Sequence, residues 1–322
     1  MEGVLTVEAI RGQKKHSMIM ELLISLVKTK PLGTIGGIIV LVLFFTGIFA
    51  DLIAPYDPAE VHLSETLSPP SSHYLLGTDN MGRDLLSRVI HGARISMIVG
   101  IAGSALAAVT GTLIGGTSGF LGGKVDMSIQ RFVDAFMCFP PIFIMLTVMS
   151  MLGPGIVPII FVLGIQSGIG QSRVIRSAVI GIKENTYFQA AVAIGSPSWR
   201  TFIKHVLPNI MAPIIIIFTV SMGAMILIEA TLSFLGFGIP PPFPTWGGML
   251  SGNARRYMFS APWMAFWPGL CLAVVVYGMN MFGDGLRDIL DPRLRGGLGR
   301  IGGLKDKEMK KLRESLGIQE EE

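Results

Sequence analysis

Few side chains in this 322-residue sequence are spaced for covalent chemistry. A phosphate-binding loop reads Gly-x4-Gly-Lys-[Ser/Thr], with backbone amides cradling the phosphates. The nearest string, Ser118 to Gly123-Lys124, lacks the first Gly and the closing hydroxyl. Gly297, Gly299 and Gly302 spell Gly-x-Gly-x-x-Gly, but in a basic tail with no preceding strand and no βαβ unit. No His/Cys/carboxylate cluster has metal-ligand spacing, and no Ser–His–Asp arrangement is evident. The chain therefore reads as a non-enzyme with no metal or cofactor of its own. Cys138 and Cys271 have no disulfide framework around them and read as small apolar residues.

What remains is charge in unusual places. Glu229 closes a long apolar run, and a carboxylate there must face protein or water. Arg131 and Asp134 flank the start of another apolar run and are spaced to pair with each other. Asp79, Arg83 and Asp84 follow a Pro- and Ser-rich stretch. They suit either capping of a turn and the next helix or docking of another protein.

The elements that carry these residues are membrane spans. Half of the residues are hydrophobic and 15% are charged, against about 25% charged in soluble domains. Mean hydropathy is +0.59. Pro31–Ala50, Ile95–Gly123, Ala135–Ser172, Val206–Ile228 and Tyr257–Gly283 contain no Asp, Glu, Lys or Arg. A helix needs roughly 20 apolar residues to cross a bilayer. Ala135–Ser172 is too long for one crossing, and Gly153-Pro154-Gly155 supplies a turn. Six spanning helices are thus expected, over about 32–52, 94–121, 132–152, 156–175, 209–234 and 262–283, giving an all-α membrane protein.

With a cytoplasmic N-terminus, 21 of the 26 Lys and Arg fall on the inner side. The positive-inside rule therefore places both termini in the cytoplasm. No cleavable signal is expected. Met18–Val27, followed by Lys28 and Lys30, suits a helix lying in the interface. The chain divides into 1–92 (interfacial helix, first span, external loop), 93–290 (a five-span core with a cytoplasmic loop over 184–208) and 291–322 (a charged tail, with a short helix over Lys305–Leu316).

Two patterns mark packing. Gly103, Ala107, Gly111, Gly115, Gly119 and Gly123 recur every four residues, a smooth strip that lets another helix approach closely. Gly164 and Gly168 make a shorter one. Pro140, Pro141, Pro158, Pro213 and Pro268 lie inside expected spans, as hinges lining a pathway or as static kinks.

The loop Lys183–Pro208 is the most informative stretch. Tyr187, Ala190, Ala191 and Ile194 fall on one side of a helix, Gly195 breaks it, and Ser196-Pro197 suits a cap and first turn of a second helix. Small residues beside Tyr187, Phe188 and Trp199 would make a projecting knuckle that fits another protein's groove. Gln189-Ala190-Ala191, then Gly195, then Leu207-Pro208 resembles the coupling loop of permease subunits of ATP-binding-cassette importers, which usually reads Glu-Ala-Ala, Gly, Leu-Pro. Here Gln189 replaces the usual Glu, so a charged contact gives way to a neutral hydrogen bond.

Leu76–Arg88 with Gly92–Ser96, His205–Asn209, Glu229–Gly236, Trp246–Met249 and Gly283–Arg293 resemble the second permease of the dipeptide, oligopeptide and nickel branch. The resemblance covers roughly 30–295. It implies the type I importer fold, a homologous partner permease, two ATPase subunits holding ATP and Mg, and an extracytoplasmic binding protein. It implies coupling through Gln189, Ala190, Ala191, Gly195, His205, Leu207 and Pro208. Glu229, Pro140 and Pro141 become candidates for a gate or pathway, and Asp79, Arg83 and Asp84 for binding-protein docking. Peptides are the expected cargo; nickel, opines or oligosaccharides are alternatives. An ion-gradient transporter usually carries several intramembrane carboxylates and an inverted repeat; here only Glu229 is well inside and no repeat is visible. A membrane scaffold or receptor, the other rival, would need no kinked polar pathway.

A bulky residue at Ala191 or Gly195 is expected to abolish uptake and ATPase coupling while leaving membrane insertion intact. Normal transport by such variants would remove the knuckle from the coupling mechanism.

Overall fold

A computed structural model describes residues 25–290. The interfacial segment lies largely outside this range, and the Gly297–Gly302 string and the tail helix lie wholly outside it. The described residues form helices α1 Pro31–Ile48, α2 Ala50–Ile53, α3 Leu85–Leu121, α4 Gly123–Met137, α5 Pro141–Leu152, α6 Ile156–Lys183, α7 Thr186–Ala193, α8 Ser198–Thr201, α9 Met211–Phe234, α10 Trp246–Leu250, α11 Gly252–Arg256 and α12 Trp263–Leu290. Among them, α1, α3, α6, the run from α8 through α9, and α12 are long and apolar enough to cross a membrane, and α4 with α5 forms a bent sixth.

Three expected spans prove longer. α3 begins nine residues before 94, α6 continues to Lys183 and α12 to Leu290. Charge-free runs mark only the lipid-depth part of a helix, and these helices project beyond it. At a rise of 1.5 Å per residue, the 37 residues of α3 extend about 55 Å. The expected helix over 132–152 is instead broken. α4 and α5 meet at 86° across Cys138–Pro140. Proline disfavours helix in the residue before it and has no N–H for the ladder, so Pro140-Pro141 ends one helix and starts another. Gln166 of α6 donates its Nε2 to the Pro141 carbonyl at 3.0 Å, and so ties α6 to the start of α5.

The smooth strip of α3 packs within its own chain. A Cβ built on Gly115 would lie 2.1 Å from the Ser172 carbonyl, and one on Gly119 2.9 Å from that of Arg176. One on Gly168 would sit 2.8 Å from the Ala107 carbonyl. Gly103 serves a different neighbour, Met225 of α9, while Gly123 has open space and a φ of +54° at the start of α4. A second close crossing joins α1 to α12, where a Cβ on Gly36 would reach the Gly278 carbonyl at 2.5 Å.

Apolar side chains fill the wedges between these crossings. Val99, Met149, Leu163 and Met225 join α3, α5, α6 and α9. Leu43, Ile226, Trp246 and Met279 join α1, α9, α10 and α12. The Trp246 indole N–H donates to the Val89 carbonyl at 3.0 Å and seats α10 against α3. Gly92 permits this, since its Cβ would fall 2.7 Å from that indole ring.

Gly115→Ala should destabilise the detergent-solubilised chain by about 1–3 kcal/mol through overpacking at the α3–α6 crossing. Gly170→Ala on the same α6, where a Cβ meets nothing within 4 Å, should leave the melting temperature unchanged or raise it. Equal melting temperatures for wild type and Gly115→Ala would show that the crossing is not close.

Candidate functional site: the knuckle and its buttress

The knuckle stands on the joined ends of α3 and α6. Lys183, in the last turn of α6, donates its Nζ to the carbonyls of Phe120 at 2.8 Å and Gly119 at 3.2 Å. A cation at these last carbonyls of α3 also complements the helix dipole. Asp126 of α4 takes a bidentate pair from Arg176 of α6, both contacts 2.6 Å. Ser118 also donates to the same carboxylate. Asp134, expected to pair with Arg131, pairs instead with Arg173 of α6. The α4–α5 bend lays α4 beside α6, so the cross-helix partner replaces the local one.

On this base sits an aromatic buttress. The Phe120 ring meets Phe188 edge-on at 6.3 Å and Phe202 at 5.2 Å between centroids. Phe188 was expected on the docking surface but is buried with Ile182, Val206 and Ile210. Ala191 is also buried, one turn along from Phe188. The two therefore form the inward face of α7. Tyr187, Ala190 and Ile194 form the outward face, at i, i+3 and i+7.

Gly195 ends α7. Its φ is +76°, its N–H reaches the Val192 carbonyl at 2.9 Å, and the Ser196 N–H reaches the Ala191 carbonyl at 3.1 Å. This pair of bonds is a Schellman closure, which calls for glycine at the left-handed position. Nothing lies within 4 Å of a Cβ built there, so backbone conformation alone demands the glycine. The second helix starts later than expected: Pro197, extended at φ −62° and ψ 142°, takes the cap position, and Ser196 caps nothing.

The Leu207-Pro208 pair re-registers the helix that returns to the membrane. Pro208 has no N–H for the carbonyl four residues back. The ladder therefore widens to a π-helical turn over Phe202–Val206, in which the Leu207 N–H reaches the Phe202 carbonyl, and then tightens to a 3₁₀ turn over Leu207–Ile210. The His205 carbonyl accepts from Asn209 Nδ2 at 2.7 Å. Gln189 lies exposed, its amide donating to the Glu184 carbonyl at 3.4 Å. The result is a rigid base with an apolar tip. Ile194 is 84% and Trp199 68% exposed, flanked by Glu184, Arg200 and Lys204 in sequence.

At the opposite end of the bundle, Asp79 is 5% and Asp84 2% exposed. Asp79 accepts from the Met81 and Arg83 amides and from Arg83 Nε at 2.7 Å. Asp84 caps α3 by accepting from the Ser87 N–H at 2.7 Å. Both carboxylates are buried and hold the 54–84 loop to the start of α3. Arg94 and His91 bind Asp51 just beyond α1, at 2.8 Å and 3.2 Å. The Arg94 hydrogen bonds hold the Asp51 carboxyl below its ordinary range.

Glu229 is fully buried. Ser233 donates to its Oε1 at 2.6 Å, and among the described residues Oε2 has no partner. Its side chain is enclosed by the packed helices. Pro140 and Pro141 are exposed at the α4–α5 break.

Sequence reasoning missed the buttress and the Asp126–Arg176 pair. Their one visible signal is placement: each lies at the edge of a charge-free run, where a helix leaves the lipid.

Comparison with known proteins agrees with this architecture. Residues 27–70 match the N-terminal TM domain of oligopeptide transport permease C. The chain is 38% identical over 268 residues to the dipeptide transport system permease protein DppC of Alkalihalophilus pseudofirmus, covering 83% of this chain and 88% of that one. It is 38% identical to the di/tripeptide transport system permease protein DppC of Pseudomonas aeruginosa, covering 82% and 89%. It is 34% identical to the oligopeptide transport system permease protein OppC of Bacillus subtilis, covering 83% and 88%. Residues 111–296, from mid-α3 to beyond α12, match the family described as the binding-protein-dependent transport system inner membrane component, and the chain belongs to that family as a multi-pass permease subunit of the inner membrane.

Proposed function

We propose that this chain is half of the membrane channel of an ATP-driven importer of di- and oligopeptides. A second, homologous permease encloses the pathway with it. Two ATPase subunits, which hold ATP and Mg, bind on the cytoplasmic side, where both termini lie. An extracytoplasmic binding protein delivers the cargo to the 54–84 end. The observation that carries this reading is the knuckle: an apolar tip of Ile194 and Trp199 on a base cross-braced to three helices. Exposed aromatic and aliphatic side chains on a rigid mount suit a partner's groove. Closure of the ATPase dimer would push this tip, and the buttress of Phe120, Phe188 and Phe202 would pass the displacement to α3, α6 and α9 together. The peptide assignment draws on the relatives, whose names specify dipeptides, di/tripeptides and oligopeptides.

Reconstitution with the co-purified partners should give uptake of a tripeptide that requires ATP on the knuckle side and binding protein on the other. Uptake driven by an ion gradient without ATP would return the secondary-transport reading. Ile194→Asp should weaken retention of the ATPase subunits by about 2 kcal/mol or more, the cost of a hot-spot residue, with insertion and melting temperature unchanged. Ala191→Leu should act differently, because that residue packs inward. It should raise protease sensitivity across 184–203 before it affects the docking surface. ATPase retention unaffected by Ile194→Asp would place the interface elsewhere.

A further inference from the structure

On the knuckle half of α9, buried hydroxyls are satisfied. Thr219 and Ser221 donate back to the carbonyls of Ile215 at 3.0 Å and Ile217 at 2.6 Å, the usual arrangement in apolar surroundings. Gln171 of α6 donates its Nε2 to Ser221 Oγ at 2.8 Å and ties α6 to α9. On the other half of α9 the pattern stops. Glu229 is 0% exposed and Ser96 of α3 is 1% exposed. Among the described residues, neither Glu229 Oε2 nor Ser96 Oγ has a hydrogen-bond partner. A buried polar atom left in this way costs free energy.

The packing of α3 on α9 puts these two residues at one level. A Cβ built on Gly100 would lie 3.3 Å from Ile226 Cγ1, and one on Gly103 3.3 Å from Met225 Sδ. Ser96 is four residues before Gly100 and seven before Gly103, so it lies on the same face of α3. Glu229 is three residues after Ile226 and four after Met225, on the matching face of α9. The helices run antiparallel, α3 from the 54–84 end to the knuckle and α9 back again. One turn from the glycine contact toward the 54–84 end therefore reaches Ser96 on one helix and Glu229 on the other. Their chemistry is complementary, since a hydroxyl can donate and a free carboxyl oxygen can accept. No hydrogen bond joins them in this conformation.

We propose that the Ser96 hydroxyl and Glu229 Oε2 close a hydrogen bond in the other conformation of the transport cycle, so that Glu229 is a positioning residue that fixes where α9 stops against α3. The inference rests on the reading of the chain as an ATP-driven importer. In that reading α9, which leaves the knuckle, is displaced by ATPase closure. Around Gly100 and Gly103 its contact with α3 is apolar, and sliding there exchanges one van der Waals contact for another without defining an end point. A hydrogen bond does define one, because it holds only at about 2.5–3.0 Å between oxygens and over a limited angle. Ser233 already holds the other carboxyl oxygen, so the orientation of the Glu229 side chain is set before α9 moves. Open in one state and closed in the other, the pair gives the α3–α9 interface two discrete arrangements, which is how a packed interface switches.

The test uses the complete transporter in lipid nanodiscs and reads the ATP concentration at which vanadate traps half of it. Ser96→Ala should shift that concentration about fivefold, the effect of one hydrogen bond present in a single state. Glu229→Met, which keeps the length and loses the acceptor, should shift it in the same direction by a similar factor. The double variant should shift it no further than either single one, because both remove the same bond. Glu229→Gln keeps an acceptor oxygen and should stay within about twofold of wild type. Ser104→Ala removes another buried α3 hydroxyl that has no partner among the described residues, and should leave trapping unchanged. A Ser96→Ala transporter that traps like wild type overturns the inference, whether the bond never forms or a water bridges the two groups in every state. That outcome decides even where Glu229→Met fails to assemble. Single shifts that multiply in the double variant overturn it as well. Wild-type transporter that traps no nucleotide overturns the ATP-driven reading, and this inference with it.

Discussion

The close crossing of α3 and α6 is the constraint on which the rest depends. Lipid gives two helices no hydrophobic reason to associate, so the association must come from backbone approach and van der Waals contact. Gly111, Gly115 and Gly119 provide it by leaving the carbonyls of Gly168, Ser172 and Arg176 room to touch α3. Because the contact runs nearly the full shared length of the two helices, their far ends arrive together. Lys183 can then seal the end of α3, and Phe120 can reach Phe188 and Phe202. A wider crossing would leave the knuckle without a floor.

The knuckle turns that rigidity into a contact surface. Its inward residues, Phe188, Ala191 and Val206, are buried against α3 and α6. Its outward residues, Ile194 and Trp199, are left uncovered among the described residues. An exposed apolar tip of this kind is the sort of surface that marks an interaction site. The left-handed Gly195 lets the chain reverse between the two short helices without a side chain to strain it, and the π-helical turn before Pro208 sets the angle at which the chain enters α9. Deviations of this kind from a regular ladder tend to sit at functional positions.

Much of this was legible before any coordinates. The six apolar segments, the Gly153–Gly155 hairpin and the glycine strip follow from lipid's demand for satisfied backbone and from the smooth surface close packing needs. Two kinds of feature were not. Helix ends outside the lipid carry charge, so composition undercounted α3, α6 and α12 and hid Lys183 and Arg176 as bracing groups. The side of α7 that faces inward was also hidden, because Tyr187, Phe188, Ala190, Ala191 and Ile194 satisfy a docking face and a core face equally well. Phe120, sixty-eight residues away from Phe188 in sequence, decides between them. The pair expected between Arg131 and Asp134 failed for a similar reason, since the proline break put Arg173 nearer.

The same logic separates the surfaces of the bundle by what can cover them. Lipid can cover α1 without cost, because its outward side chains ask for nothing. On α12 it meets the apolar Phe266, Leu270 and Val274, but Asn280 would lose water there and gain no lipid partner. A single chain of this kind is therefore incomplete on one side. Its apolar flank suits the bilayer, whereas its exposed knuckle tip stands on a part of the chain beyond the apolar runs. The α9–α12 flank is also where α9, the helix that leaves the knuckle, meets α12, which α1 braces through Gly33, Gly36 and Gly278. A displacement of α9 from its Pro208 end would act against a neighbour that is held. A helix that shifts against a clamped neighbour changes the width of the space between them, which is the physical requirement for alternating access.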